Sequence, residues 1–187
     1  MEKGATTRDR PSPGKRRLTI AKAIEANDLT SDKMPFEASA AGESENYQKL
    51  LESGIVDGFV LKVLFDDAVG GVSLTYVWFK ANYRVPRHSH NADCTYYVVS
   101  GEAHVGSEVL RAGDVFFVPS ETLYGYQAGP EGAEILEFRT AAQFTIRMPG
   151  IGQAILQQAS EMVADNRSQW LQQEPPLAAR RFFNRSL

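Results

Sequence analysis

His88-Ser89-His90 is the part of the sequence best equipped for chemistry. In an extended strand, residues two apart point to the same face, so both imidazoles project together. Two neutral imidazoles converging on one point supply half of a transition-metal site. Arg84 and Arg87 flank the entry to this pair and could attract an anion, though a solvated surface role is commoner for arginine. Farther on, Glu137 interrupts the apolar run Ile135-Leu136-Glu137-Phe138 and either faces a cavity or turns outward to pair with Arg139 or Lys80.

These residues need a scaffold, and residues 56–147 read as one. Runs at Phe59–Phe65, Val72–Ala81, Tyr96–Ser100, Ala103–Val105, Val115–Val118 and Ile135–Thr140 are rich in β-branched and aromatic residues and are broken by Gly, Asn or Pro. Short strands with regular breakers predict an all-β barrel or sandwich. Ser100-Gly101 reads as a hairpin turn, which would set Tyr97 opposite His104 and turn His104 outward. In Val72–Lys80, Leu74, Tyr76 and Trp78 share one face, and Val77 and Phe79 the other. A strand apolar on both faces needs a cover outside the barrel. A terminal arm, the C-terminal helix or a second subunit could supply it, and a homodimer is the expectation.

The ends differ from the middle. Residues 1–55 read as an arm with short helices: Leu18, Ala21 and Ile24 recur at helical spacing until Asn27-Asp28, and Tyr47–Leu51 forms a turn stopped by Gly54. Residues 148–187 read as a C-terminal helix and tail. Ile155, Ala159, Met162 and Val163 form the helix's apolar stripe, Pro175-Pro176 ends it, and Arg180, Arg181 and Arg185 follow.

Asn82, Pro86, His88, His90, the strand before Gly101, Gly113-Asp114 and Pro119 together resemble the two sequence motifs of the cupins, a family of small β-barrels. The first motif holds a glycine, five residues, His-x-His, a glutamate three or four residues on, and a closing glycine. The second holds a glycine, five residues, a proline and, five positions later, a histidine. The resemblance spans roughly residues 58–140 and implies a cupin double-stranded β-helix, or jelly roll. Asn82 stands for the family's first glycine, Cys94 where the glutamate ligand falls, and Tyr124 where the last histidine falls. The implied metal set is thus His88 and His90 with Tyr124 and Cys94, and with Asp93 (through a local bulge) or Glu137 as further candidates. In the thiol dioxygenases, also cupins, a cysteine likewise replaces the motif glutamate; the plain alternative for Cys94 is a buried small hydrophobe. Tyr96, Val98, Tyr126 and Phe117 are expected to line a small-molecule pocket.

The implied cofactor is a divalent metal, iron before manganese, nickel or zinc, and the implied chemistry is of dioxygenase, isomerase or lyase type. A non-catalytic pocket without a stable metal is the alternative. A net charge of −3 argues against a nucleic-acid partner. The single cysteine excludes an intrachain disulfide, and no apolar run reaches a membrane span, so a cytoplasmic protein is the expectation. No nucleotide-binding glycine loop or nucleophile elbow occurs in the sequence.

Overall fold

The computed structural model describes residues 18–183, so the basic segment 1–17 and Arg185 lie outside the described residues. The strands are β1 (Asn27–Asp28), β2 (Phe59–Asp67), β3 (Val72–Phe79), β4 (Ser89–His90), β5 (Cys94–Val105), β6 (Glu108–Arg111), β7 (Val115–Val118), β8 (Gln127–Arg139) and β9 (Ile146–Arg147). The main sheet runs β1-β2-β3-β8-β5-β6, with β7 also on β5, and β4 pairs with β9. All of these pairings are antiparallel, as the expected jelly-roll barrel requires.

Ser100-Gly101 is not a hairpin turn. β5 runs straight through it, and the chain reverses at Gly106-Ser107. Gly101 instead sits between two irregularities of the β5–β8 register, at φ 72°, where an added Cβ would lie 2.1 Å from the Gly132 carbonyl oxygen. These bulges shift the side-chain parity of β5. Cys94, Tyr96 and Val98 face the core, but beyond the bulges Ala103 does so and His104 turns outward. The expected orientation of His104 therefore holds for a different reason, and its Nε2 lies 3.1 Å from Glu102 Oε2.

β3 is buried on both faces, as its composition demands. The outer cover comes from α3 (Leu177–Phe183): Ala179 is fully buried there and Phe182 packs 4.8 Å from the Tyr76 ring. The residues after Pro175-Pro176 are thus a helix rather than a tail, and the burial of β3 no longer argues for a second subunit.

In α2 (Gln153–Gln172), Ala159 and Val163 of the expected stripe are buried. Trp170, seven residues after Val163 on the same face, is buried completely and donates from Nε1 to the Ala81 carbonyl at 2.8 Å. Gln173 Oε1 accepts from the Ala81 amide, and Lys80 Nζ donates to the Trp170 carbonyl. This clamp fixes the turn that feeds the histidine strand, where Asn82 holds the left-handed φ of 56° suited to asparagine.

The N-terminal helix expected around Leu18–Ile24 reduces to a 3-10 turn at Ala23–Glu25. Leu18 and Ile20 stay 93% and 76% exposed, so helical spacing there has no apolar surface to pack against. Asn27-Asp28 becomes β1, paired with Val63 and Lys62. α1 (Glu43–Glu52) forms as expected, and Phe36 bridges Ile146, which brings this part of the arm onto the barrel.

Candidate functional site

The site is the polar end of an apolar cavity of about 120 Å³ inside the barrel. His88 is held by a two-way backbone bridge to Tyr124, and His90 pairs with Ile146 of β9. The two-residue spacing in extended chain sends both side chains inward. Their rings lie 4.8 Å apart at 73°, and both residues are buried. Each ring is fixed by its own backbone: His88 Nδ1 lies 2.8 Å from the Pro86 carbonyl oxygen, and His90 Nδ1 lies 2.7 Å from that of Thr145. A carbonyl oxygen only accepts, so each Nδ1 carries the proton and each Nε2 of the neutral ring is a bare acceptor. Burial keeps the rings neutral, pushing His88 down to about 4 and His90 down to about 2. The nearby Arg139 charge adds to this depression at both rings.

β8 supplies the other polar groups. Glu137 and Arg139 are two apart on the inner face, both line the cavity, and they form a buried ion pair. Arg139 also donates from Nη1 to Thr75 Oγ1 at 2.8 Å, and its guanidinium carbon lies 4.2 Å from the Phe144 ring centroid. Glu137 therefore faces in and is paired with Arg139, which combines parts of both sequence expectations. The sequence reading gave Arg139 no place in the site. Its signal was the same alternation that places Glu137, since residues two apart in a strand share a face.

The other expected ligands do not line the cavity. Cys94 is 1% exposed on the inner face of β5, opposite Arg139 and Val118 but not lining the cavity, and burial pushes its thiol up to about 12. The Tyr124 ring packs 4.4 Å from His88, but its hydroxyl pairs with that of Tyr96, and burial raises both phenols above their ordinary value. Asp93 is not turned inward by a bulge: its Oδ1 accepts from the Ser120 amide at 2.8 Å. Among the described residues, no three His, Cys, Asp or Glu side chains are grouped to hold a metal ion. His88 and His90 supply two positions for a metal, and the Glu137 carboxylate at the same cavity end is already paired with Arg139.

The expected pocket lining needs correction. Tyr126 lines the cavity, while Tyr96 and Val98 are fully buried core behind it. Phe117 is 58% exposed on the outer face of the sheet, opposite Thr95. Its neighbour Phe116 is the inward residue, stacked on Tyr96 at 4.4 Å, because β7 pairs with β5 in the register Tyr96–Phe116. Met34, Tyr47 and Leu51, from the arm and α1, also wall the cavity. Helical periodicity near Tyr47 was visible, but what α1 packs on was not.

Comparison with known proteins agrees with this architecture. Residues 45–145 match the family model of the ChrR cupin-like domain. No curated protein matches the chain. Among solved structures, an RmlC-like cupin from Shewanella frigidimarina is 30% identical over 44% of this chain and 76% of its own, with a TM-score of 0.40. The polyketide cyclase RemF from Streptomyces resistomycificus is 18% identical over 56% of this chain and 83% of its own, at a TM-score of 0.46. The Rhodobacter sphaeroides complex of SigE with the anti-sigma ChrR matches at 19% identity over 44% of this chain and 45% of that one, at a TM-score of 0.40. None of the described helices is long and apolar enough to cross a membrane. With the family model spanning more than half of its length, the chain belongs to the ChrR cupin-like domain family of the cupins.

Proposed function

We propose that the barrel binds a small neutral molecule whose hydroxyl donates a hydrogen bond to the bare Nε2 of His88 or of His90. The carrying observation is the pair of bare Nε2 atoms, each created by an Nδ1 tied to a carbonyl. Glu137 adds a carboxylate to the same end, while the Arg139 donors that point toward Thr75 and Glu137 are already used. A cavity end rich in acceptors selects a ligand that donates, and an alcohol, phenol or enol does so without adding a further buried charge to the Glu137–Arg139 pair.

p-Cresol and its methyl ether test this reading by calorimetric titration of the untagged protein after chelator treatment. They share the tolyl ring and differ at the oxygen, where the ether replaces the donating hydrogen with a methyl group. p-Cresol should bind about ten-fold tighter, the worth of one buried hydrogen bond, and His88→Ala with His90→Ala should erase the difference. Equal affinity in the unmodified protein would overturn the reading.

A second reading is favoured by the same fixed Nε2 atoms, because anchoring Nδ1 to a carbonyl is also how metal-ligating histidines are oriented. In it, His88 and His90 hold a divalent metal, iron before manganese, nickel or zinc, and the ligand completes the shell. Such a metal would supply the oxygenase, isomerase or lyase chemistry that the cupin resemblance implies. Near one metal per untagged chain by elemental analysis, lost in His88→Ala and His90→Ala, would establish this reading in place of the first.

A further inference from the structure

We infer that the ligand is amphipathic, with a hydroxyl-bearing head at the histidines and an apolar tail that leaves the barrel between β2 and α1 into an outer groove. The inference rests on the head chemistry proposed above but is carried by a different part of the molecule.

The groove, of about 700 Å³, is bounded by the 28–36 segment, α1 and β2. It shares Met34, Tyr47, Leu51, Phe59 and Leu61 with the inner cavity, so one set of side chains walls both spaces. All five are only partly buried, although Phe59 and Leu61 lie on the core face of β2, opposite Phe79 and Val77. Every residue of β2 is intermediate in burial, whereas β3 beside it is almost wholly buried. The barrel is therefore closed tightly at β3 and loosely at β2, where beyond the two-residue β1 its cover is a ten-residue helix and the turn-containing 28–36 segment.

The shared wall is apolar apart from the Tyr47 hydroxyl, and Tyr47 stacks on Phe36 at 4.1 Å. The groove also carries polar residues, of which Asp28 and Lys62 pair with each other at 2.7 Å. A path that is polar at the histidines, apolar along its middle and neutralised by an ion pair at the groove suits an alkyl or aryl-alkyl tail. An inner space of about 120 Å³ holds a head group, and the tail needs the groove.

The test is calorimetric titration of the intact, chelator-treated protein with para-alkylphenols of rising chain length, from p-cresol through para-propylphenol to para-pentylphenol. Each methylene that enters an apolar groove should raise affinity about three- to four-fold. Leu29→Gln and Val56→Gln, at residues that line the groove but not the inner cavity, should each flatten that rise while leaving p-cresol affinity unchanged. A flat series in the unmodified protein, or an undiminished rise in both variants, overturns the inference. The two readings fail separately. If p-cresol and its methyl ether bind equally but the chain-length rise persists and both variants flatten it, the head assignment falls and the groove stands. If p-cresol binds donor-dependently but the series is flat, the groove falls alone.

Discussion

β8 carries a buried glutamate on each of its faces, and the two have opposite surroundings. Glu134 points outward and accepts from the Tyr76 hydroxyl with one oxygen and from the Ser100 hydroxyl with the other. Burial and the adjacent carboxylate push the Tyr76 phenol far above its ordinary value, so it remains a donor. α3 closes this network from solvent at Tyr76. Glu137, three residues on, points inward to a cavity where Arg139 Nε has no partner and two histidine nitrogens present lone pairs. Both regions bury polar groups in one sheet, yet only the inner one leaves acceptors facing open space. A closed polar network specifies a fold, and an open one is available to a ligand.

The largest effect is expected where charge is stranded. Arg139→Met leaves Glu137 buried without its cation and should cost about 3–5 kcal/mol in urea unfolding. Replacing both, as Glu137→Leu with Arg139→Met, should recover much of that loss; a double variant as unstable as the single one would show that the pair matters for more than charge. On the outer face, Glu134→Ala orphans the Tyr76 and Ser100 hydroxyls and should cost about 2 kcal/mol, with no change in p-cresol affinity. Altered ligand binding in that variant would break the division between the two faces.

A third carboxylate extends the closed class beyond the sheet. Glu43 accepts from the Gly150, Ser39 and Ala40 amides and the Ser39 hydroxyl, which ties the start of α1 to the turn before α2. These donors, Gly150 foremost, hold its carboxyl at about 2, below the ordinary 4.5. The folded state thus binds fewer protons than the unfolded chain between those values. The contribution is complete above pH 4.5 and is lost as pH falls toward 2. Thermal unfolding of Glu43→Gln should show a lower Tm at neutral pH and a shallower decline over that acidic window. The smallest stability change belongs to the open site. His88→Ala removes a ring whose Nε2 has no protein partner and should cost about 1 kcal/mol or less beyond lost packing, while weakening the ligand's donor preference to what His90 alone supports.

Much of this arrangement was legible in the sequence. The alternation around β3 required a cover on both faces, and the cupin spacing located His88, His90, Gly113 and Pro119. What misled was local. Ser100-Gly101 has the composition of a hairpin turn, but a glycine that accepts positive φ serves a bulge equally well, and only the approach of Gly132 decides between them. Phe116 and Phe117 differ by one position, so their assignment to core or surface depends on the β5–β7 register. Trp170 continues the α2 stripe seven residues after Val163, but its anchor at Ala81 is 89 residues away and no local pattern names it.

The amino-acid pattern by itself determined the barrel and the shared facing of the two histidines, and it marked Glu137 without deciding which way it faces, because strand alternation and turn chemistry act over a few residues. The tertiary structure alone decided that α3 covers β3, that Arg139 neutralises Glu137, that Cys94 and Tyr124 are committed elsewhere, and that α1 with the 28–36 segment walls the cavity. Those outcomes are contacts between residues far apart in the chain. Which acceptors stay open depends on the partners that packing brings or withholds.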